Sequence, residues 1–169
     1  MATFIKSLDL NRLFYAEVVR PLLDEHFSGL PHAAALLGSG SEVLGFDTHM
    51  SADHDWGPGL TLFLGEEMNK KAITEIFAHH LPASFYGYST RFAKADRDPG
   101  HFVTAKADAQ TLHHRIVVTT LGQFVRRQLN VDLSDSFSAA AWLTFPSQRL
   151  RGITDGEVYF DAVGDLTKL

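Results

Sequence analysis

Ala33-Ala34-Ala35-Leu36-Leu37-Gly38-Ser39-Gly40-Ser41 passes from a short apolar run straight into small, turn-forming residues. That order predicts a buried strand followed by a tight turn. Further along, Trp56-Gly57-Pro58-Gly59 breaks any helix, and Leu60-Thr61-Leu62-Phe63-Leu64 reads as a second strand. Between the two lies Asp53-His54-Asp55. On an extended segment its two carboxylates point to one face, with His54 on the other, and can share a divalent cation.

Outward from this centre, helices and strands mix. Leu10, Leu13, Phe14, Val18, Leu22 and Phe27 follow helical spacing over residues 8–27, with Ser7 or Asp9 as N-cap. Pro21 predicts a kink there, or two consecutive helices. Met68, Ile73, Ile76, Phe77 and Leu81 form one helical stripe over residues 66–81, and residues 83–90 read as extended. Lys94-Ala95-Asp96-Arg97-Asp98-Pro99-Gly100 is a loop. Residues 115–119 are β-branched and extended, and Thr119 or Thr120 caps a helix over 121–129. A short helix over 138–145 stops at Pro146, and Glu157-Val158-Tyr159-Phe160 forms a last strand leading into Asp161. The regular alternation of a doubly wound sheet is lacking, so the fold class is α+β, a small mixed sheet flanked by helices.

The length of 169 residues suits one domain over 1–169. With 45% hydrophobic and 21% charged residues, the composition is that of an ordinary globular protein. No apolar run approaches a membrane span, and the first residues do not form a signal peptide, so no membrane partner is expected. The chain contains no cysteine, which removes disulfides, thiolate nucleophiles and Cys-bound zinc, and fits a cytoplasmic protein. A net charge of −5 argues against broad nucleic-acid binding. A small-molecule or protein partner is easier to reconcile with it.

The chemistry follows from the centre. In Gly38-Ser39-Gly40-Ser41, backbone N–H groups and small side chains allow close approach of a phosphate. Gly40 and Ser41 are expected to wrap the β- and γ-phosphates of a nucleoside triphosphate, with Gly38 and Ser39 supporting the turn. Asp53 and Asp55 are the expected metal ligands and catalytic carboxylates, since phosphoryl transfer at two divalent ions about 3.5–4 Å apart uses bridging carboxylates. A third acid completes such a site, and Asp161 is the candidate for that catalytic and metal-binding role. The alternative for Asp161 is to cap the turn at Asp165-Leu166. Arg91, Lys106 and Arg149 are further candidate phosphate partners.

Gly40-Ser41, Gly45, Ser51 and Asp53-His54-Asp55 resemble the signature of the polymerase-β-type nucleotidyltransferase superfamily: Gly-Ser, a glycine four residues later, then Asp-x-Asp. More narrowly, residues 38–58, with Gly156-Glu157-Val158-Tyr159-Phe160 and Asp161, resemble a bacterial family carrying a domain of unknown function assigned to that superfamily. The resemblance covers nearly the whole chain. Members of that family continue into a mostly helical C-terminal region, so the chain is expected to end before one. What the resemblance implies is a minimal nucleotidyltransferase core that moves NMP from an NTP, ATP first, with Mg²⁺ or Mn²⁺. Two features depart from the superfamily pattern. His54 stands where an apolar residue is usual, and Trp56-Gly57-Pro58-Gly59 delays the following strand.

Blander readings stand beside these. Asp-x-Asp alone is common in acidic turns, and a Gly-Ser turn can simply join two elements. A degenerate core would act as a non-catalytic nucleotide sensor or partner-binding module. A third reading takes His54-Asp55 as the doublet of a helical metal-dependent phosphohydrolase. The helix-breaking residues 56–59 argue against it.

Overall fold

The computed structural model describes residues 4–47, 56–65, 70–94, 102–105 and 113–168. A four-stranded mixed sheet forms the centre. Its strands are β1 (His32–Leu36), β2 (Gly59–Leu64), β7 (Arg115–Thr119) and β8 (Glu157–Asp161). They lie in the order β7-β2-β1-β8. β1 pairs antiparallel with both β2 and β8, and β2 pairs parallel with β7. Every residue of β1 and β2 is buried, which explains why the two central strands read as continuous apolar runs without alternation. The expected α+β class is what is found.

One face of the sheet carries the larger core. Ala34, Leu60, Leu62, Leu64 and Ile116 meet α1 (Ser7–Phe14), α2 (Arg20–His26) and α3 (Lys70–His80) there. Ser7, Leu10, Asn11 and Phe14 recur at the spacing of one helix face, and all four are buried. Leu10, Phe14, Leu62, Ile73 and Phe77 are completely covered. Burial of each such side chain is worth about 1.5–3 kcal/mol. On the other face Ala33, Ala35 and Phe63 pack against Phe124 and Val125 of α4 (Leu121–Leu129) and Leu166 of a short 3₁₀ turn, Leu166–Lys168. Thr120 caps α4 by accepting the N–H of Gln123 at 3.3 Å, and Asn130 closes it in the left-handed region.

Pro21 acts as expected, with a detail the spacing does not reveal. The helix is continued through a wide π turn, Tyr15–Val19, and Pro21 sits in the first turn of α2. Proline cannot donate to the carbonyl one turn back and its ring crowds that carbonyl, so the backbone widens just before it. The extended region after α3 is a hairpin, β3 (Ser84–Phe85) and β4 (Tyr88–Ser89), turning at Tyr86 and Gly87, both with positive φ. A second hairpin, β5 (Phe92–Lys94) with β6 (Phe102–Thr104), follows. Two short helices, α5 (Ala139–Trp142) and α6 (Ser147–Thr154), precede β8. Among the described residues no helix is long and apolar enough to cross a membrane.

Candidate functional site

The Gly-Ser turn leaves the C-terminal end of β1 and is wedged from two sides. The N–H of Gly38 donates to the carbonyl of Gly152 in α6 at 2.7 Å, and Gln128 and Phe124 of α4 cover Gly38 from above. Gly40 has φ +157°, and a Cβ there would fall 2.7 Å from the Glu42 carboxylate. Only glycine lets that carboxylate fold back under the turn. The chain then winds through one compact turn, in which the Phe46 N–H donates to the Ser41 carbonyl at 2.8 Å.

Within the described residues, none of the backbone N–H groups of Ser39, Gly40, Ser41, Glu42 and Val43 donates to a protein acceptor. A succession of such donors on a glycine-containing turn is the donor set that an anionic oxygen requires.

Beside the turn the sheet borders an open cleft of about 430 Å³. Its floor is Thr61 and Val117, which face away from the larger core, and Val117 is 40% exposed. One wall is the turn, with Gly38, Ser39 and Glu42. The opposite wall is α4, where Phe124, Arg127 and Gln128 share one helix face. His114 and Arg115 close one end. His114 is neutral in character: burial lowers its pKa, against the backbone hydrogen bonds to Thr74 and Ile116 that raise it.

Glu42 is 5% exposed and lies 3.4 Å from the Arg115 guanidinium. Arg115 also donates to the Gly57 carbonyl at 3.0 Å and lies over the Phe92 ring. The antiparallel register brings these groups together. Ala35 pairs with Thr61, so the end of β1 that opens into the turn faces the start of β2, and Gly59 in turn pairs with Arg115.

Asp53 and Asp55, with His49, His54 and Ser51, lie outside the described residues. Both flanks of that stretch are anchored. Asp47 accepts the N–H of Ser7 with one oxygen and the Trp56 indole N–H at 2.9 Å with the other. The N-terminus of α1 is therefore capped by Asp47 rather than by Ser7 or Asp9.

Asp161 ends β8, as the sequence predicts. Its partner in the sheet is Ala33, whereas Glu157 pairs with Leu36 beside the turn. Four strand residues put Asp161 roughly 13 Å along β8 from Glu157, at the other end of the sheet. Its carboxylate accepts the N–H groups of Gly164 at 2.7 Å, Leu166 at 3.1 Å and Thr167 at 3.3 Å. It caps the terminal turn, the alternative the sequence offers for it, and Asp53 and Asp55, with which it is expected to converge, lie outside the described residues. Arg149 is likewise committed, donating to the Gln128 carbonyl at 2.8 Å at the end of α4. Lys106 is outside the described residues, and Arg91 lines a different, smaller cavity.

Comparison of the chain with protein-family models, curated proteins and solved structures found no match. Among the described residues no cluster of three or more His, Cys, Asp or Glu side chains forms a metal-binding group. Four residues of the cleft are not singled out by the sequence: Glu42, Arg115, Arg127 and Gln128. Arg127 and Gln128 follow Phe124 at helical spacing on α4, which is a usable signal once Phe124 is placed on the inward face. Arg115 gives none, since an arginine opening a strand is as ordinary at an exposed edge as in a cleft.

Proposed function

We propose that this chain is a cytoplasmic, Mg²⁺-dependent nucleotidyltransferase core that moves NMP from an NTP, ATP first, to a hydroxyl or phosphate of a small-molecule or protein acceptor. One observation carries the reading. The turn with its row of undonated N–H groups opens beside a cleft, at the same end of the sheet from which the chain carrying Asp53 and Asp55 enters β2. Asp55 is bonded directly to Trp56, whose indole is held by Asp47.

In this reading the N–H groups of Ser39 to Val43 and the hydroxyls of Ser39 and Ser41 hold the β- and γ-phosphates. Asp53 and Asp55 supply the carboxylate oxygens that Mg²⁺ prefers. When bound, the metal polarises the phosphoryl oxygens and lowers the pKa of the attacking hydroxyl. The acceptor oxygen then attacks the α-phosphorus, an acceptor hydroxyl giving up its proton to solvent water, the bond from that phosphorus to the α,β-bridging oxygen breaks, and pyrophosphate leaves with the electron pair. Arg127, which lines the cleft, is the cation this reading assigns to that departing charge.

The test is titration calorimetry with Mg–ATP on the wild type, Asp53→Ala and Asp55→Ala. Micromolar binding lost in either variant and in chelator is the expected result. Affinity indifferent to both substitutions and to chelator would overturn the reading.

A second reading has a specific observation behind it. The described acids near the turn are committed: Glu42 to Arg115, and Glu157 to Arg12 at 2.6 Å. A core in which, among the described residues, the acids beside the turn are already paired suits a nucleotide sensor. Binding of Mg–ATP without transfer of α-labelled NMP to any component of a cell extract is what that reading expects.

A further inference from the structure

We infer that Arg115 is a positioning residue that holds the Gly-Ser turn in its anion-binding shape, acting through Glu42. The inference rests on the nucleotide-binding reading above and deepens it. Arg115 opens β7, in parallel register with Gly59. From there its side chain reaches two separate segments among the described residues. It meets the Glu42 carboxylate at 3.4 Å, at the far end of the turn, and the Gly57 carbonyl at 3.0 Å, on the approach to β2. Its third neighbour is the Phe92 ring, at 5.8 Å from the guanidinium carbon, contributed by a hairpin strand.

The geometry around Glu42 shows why this matters. Its carboxylate is folded back against Gly40 so tightly that any Cβ at that position would overlap it. The side chains of the pair are only 7% and 16% exposed, for Glu42 and Arg115 respectively. A carboxylate removed from water to that degree is costly without a cationic partner. Without Arg115, Glu42 is driven outward into water, and Gly40 moves with it because the two are in contact. The amides of Ser39 to Val43 then lose their common direction. Loss of common direction weakens an anion site because each N–H must point at the same oxygen cluster. Arginine rather than lysine fits the position. A planar fork serves two acceptors on different segments at once, which one ammonium does less well.

The experiment uses the full chain as wild type, Arg115→Met, Arg115→Lys and Glu42→Gln. Hydrogen exchange is followed by mass spectrometry over residues 38–46, with β1 and β8 as internal references. Mg–ATP affinity is measured by calorimetry at a temperature where each variant is folded. Arg115→Met is expected to speed exchange over 38–46 selectively, through the hydrogen-bonded amides of Gly38, Leu44, Gly45 and Phe46, and to weaken Mg–ATP binding by about tenfold or more, the scale of a lost charged hydrogen bond. Arg115→Lys recovers part of both, and Glu42→Gln, which keeps the shape and drops the charge, moves both in the same direction by less. A merely structural role moves the melting temperature and leaves the affinity of the folded protein alone.

Unchanged exchange over 38–46, or unchanged affinity in a folded variant whose wild type binds, overturns the inference. If Arg115→Met does not fold, Glu42→Gln decides between the same two outcomes. If the wild type binds no Mg–ATP at all, the transferase reading falls, and the exchange comparison alone decides whether Arg115 holds the turn.

Discussion

Gly38 and Gly152 face each other across the start of the candidate site. The N–H of Gly38 donates to the Gly152 carbonyl at 2.7 Å, and a Cβ on Gly152 would fall 2.6 Å from the Gly38 carbonyl oxygen. The contact is backbone against backbone, so neither side can relax by turning a side chain. Gly152→Ala is expected to destabilise the fold by about 1–3 kcal/mol through overpacking. Gly156→Ala is expected to cost more, since its Cβ would lie 2.0 Å from the Leu36 carbonyl oxygen. Gly65→Ala, with open space around it, is the control and stays within about 0.5 kcal/mol. Urea unfolding of the three variants checks the ranking. A Gly152→Ala protein as stable as the control would mean that α6 is not pressed against the turn.

Tyr15 and His32 predict a pH dependence. Their side chains share a hydrogen bond of 2.9 Å in the core, and the other nitrogen of His32 lies 2.9 Å from the Leu30 carbonyl. The ring therefore donates to Leu30 through Nδ1 and accepts from the Tyr15 hydroxyl through Nε2. Burial pushes the Tyr15 hydroxyl up to about 12, so it keeps its proton throughout the useful range. Burial also lowers the pKa of His32 from its ordinary 6.5, and that of His114 in the same direction. The folded state thus binds these protons more weakly than the unfolded chain does. The stability is full above pH 6.5 and is lost as pH falls from there through the lowered folded values. Urea midpoints should be flat between about pH 7 and 8 and fall as the pH drops below about 6.5. His32→Gln should give a shallower fall; a slope equal to the wild type's would show that His32 contributes nothing to it.

How much of this can be read from the chain alone depends on where the deciding physics sits. The four sheet strands and α4 are legible because each is an apolar run bounded by Gly, Pro or a capping threonine. The order of the strands is not, because pairing is decided by crossovers. That is why Asp161 can be assigned to the last strand while its place opposite Ala33 cannot be read from the chain. β5 and β6 are too short to show alternation, and the Asp, Pro and Gly of the sequence between them dominate the reading of that region. α6 is hidden because Pro146 reads as a stop. It occupies the N-cap position of the next helix, where its fixed φ and lack of an N–H cost nothing. Glu42 and Arg115 are invisible as a pair, since they come together through the antiparallel register of β1 with β2 and the parallel register of β2 with β7.

Asn11 carries a prediction about the entrance to β2. It is 1% exposed, its carbonyl accepts the Gly59 N–H at 2.6 Å, and its amide donates to the Ser7 hydroxyl at 3.0 Å. Gly59 has no room for a different arrangement, because Arg115 packs directly on its α-carbon. Asn11→Ala leaves a buried N–H without a partner, at a cost of about 1–3 kcal/mol. Unfolding in urea measures the cost, and hydrogen exchange at Gly59 should accelerate beyond what the global loss explains. Exchange at Gly59 that merely tracks global stability would show that another group takes over.

Asp161 separates a capping role from a metal-binding one. Its carboxylate satisfies the N–H groups of Gly164, Leu166 and Thr167, and Leu166 is a buried member of the smaller core. Asp161→Ala should therefore loosen the terminal turn and cost about 1–2 kcal/mol, the usual scale for a lost cap. Asp161→Asn should cost less, because one carbonyl oxygen remains to accept. Roughly 13 Å of strand separate this residue from the turn's neighbour on β8, so effects at the two places should be independent. In calorimetry, Asp161→Ala should bind Mg–ATP within about twofold of the wild type, where Asp53→Ala and Asp55→Ala lose it. A loss of Mg–ATP binding in a folded Asp161→Ala protein would return this carboxylate to the site, and the terminal cap would then be a secondary role.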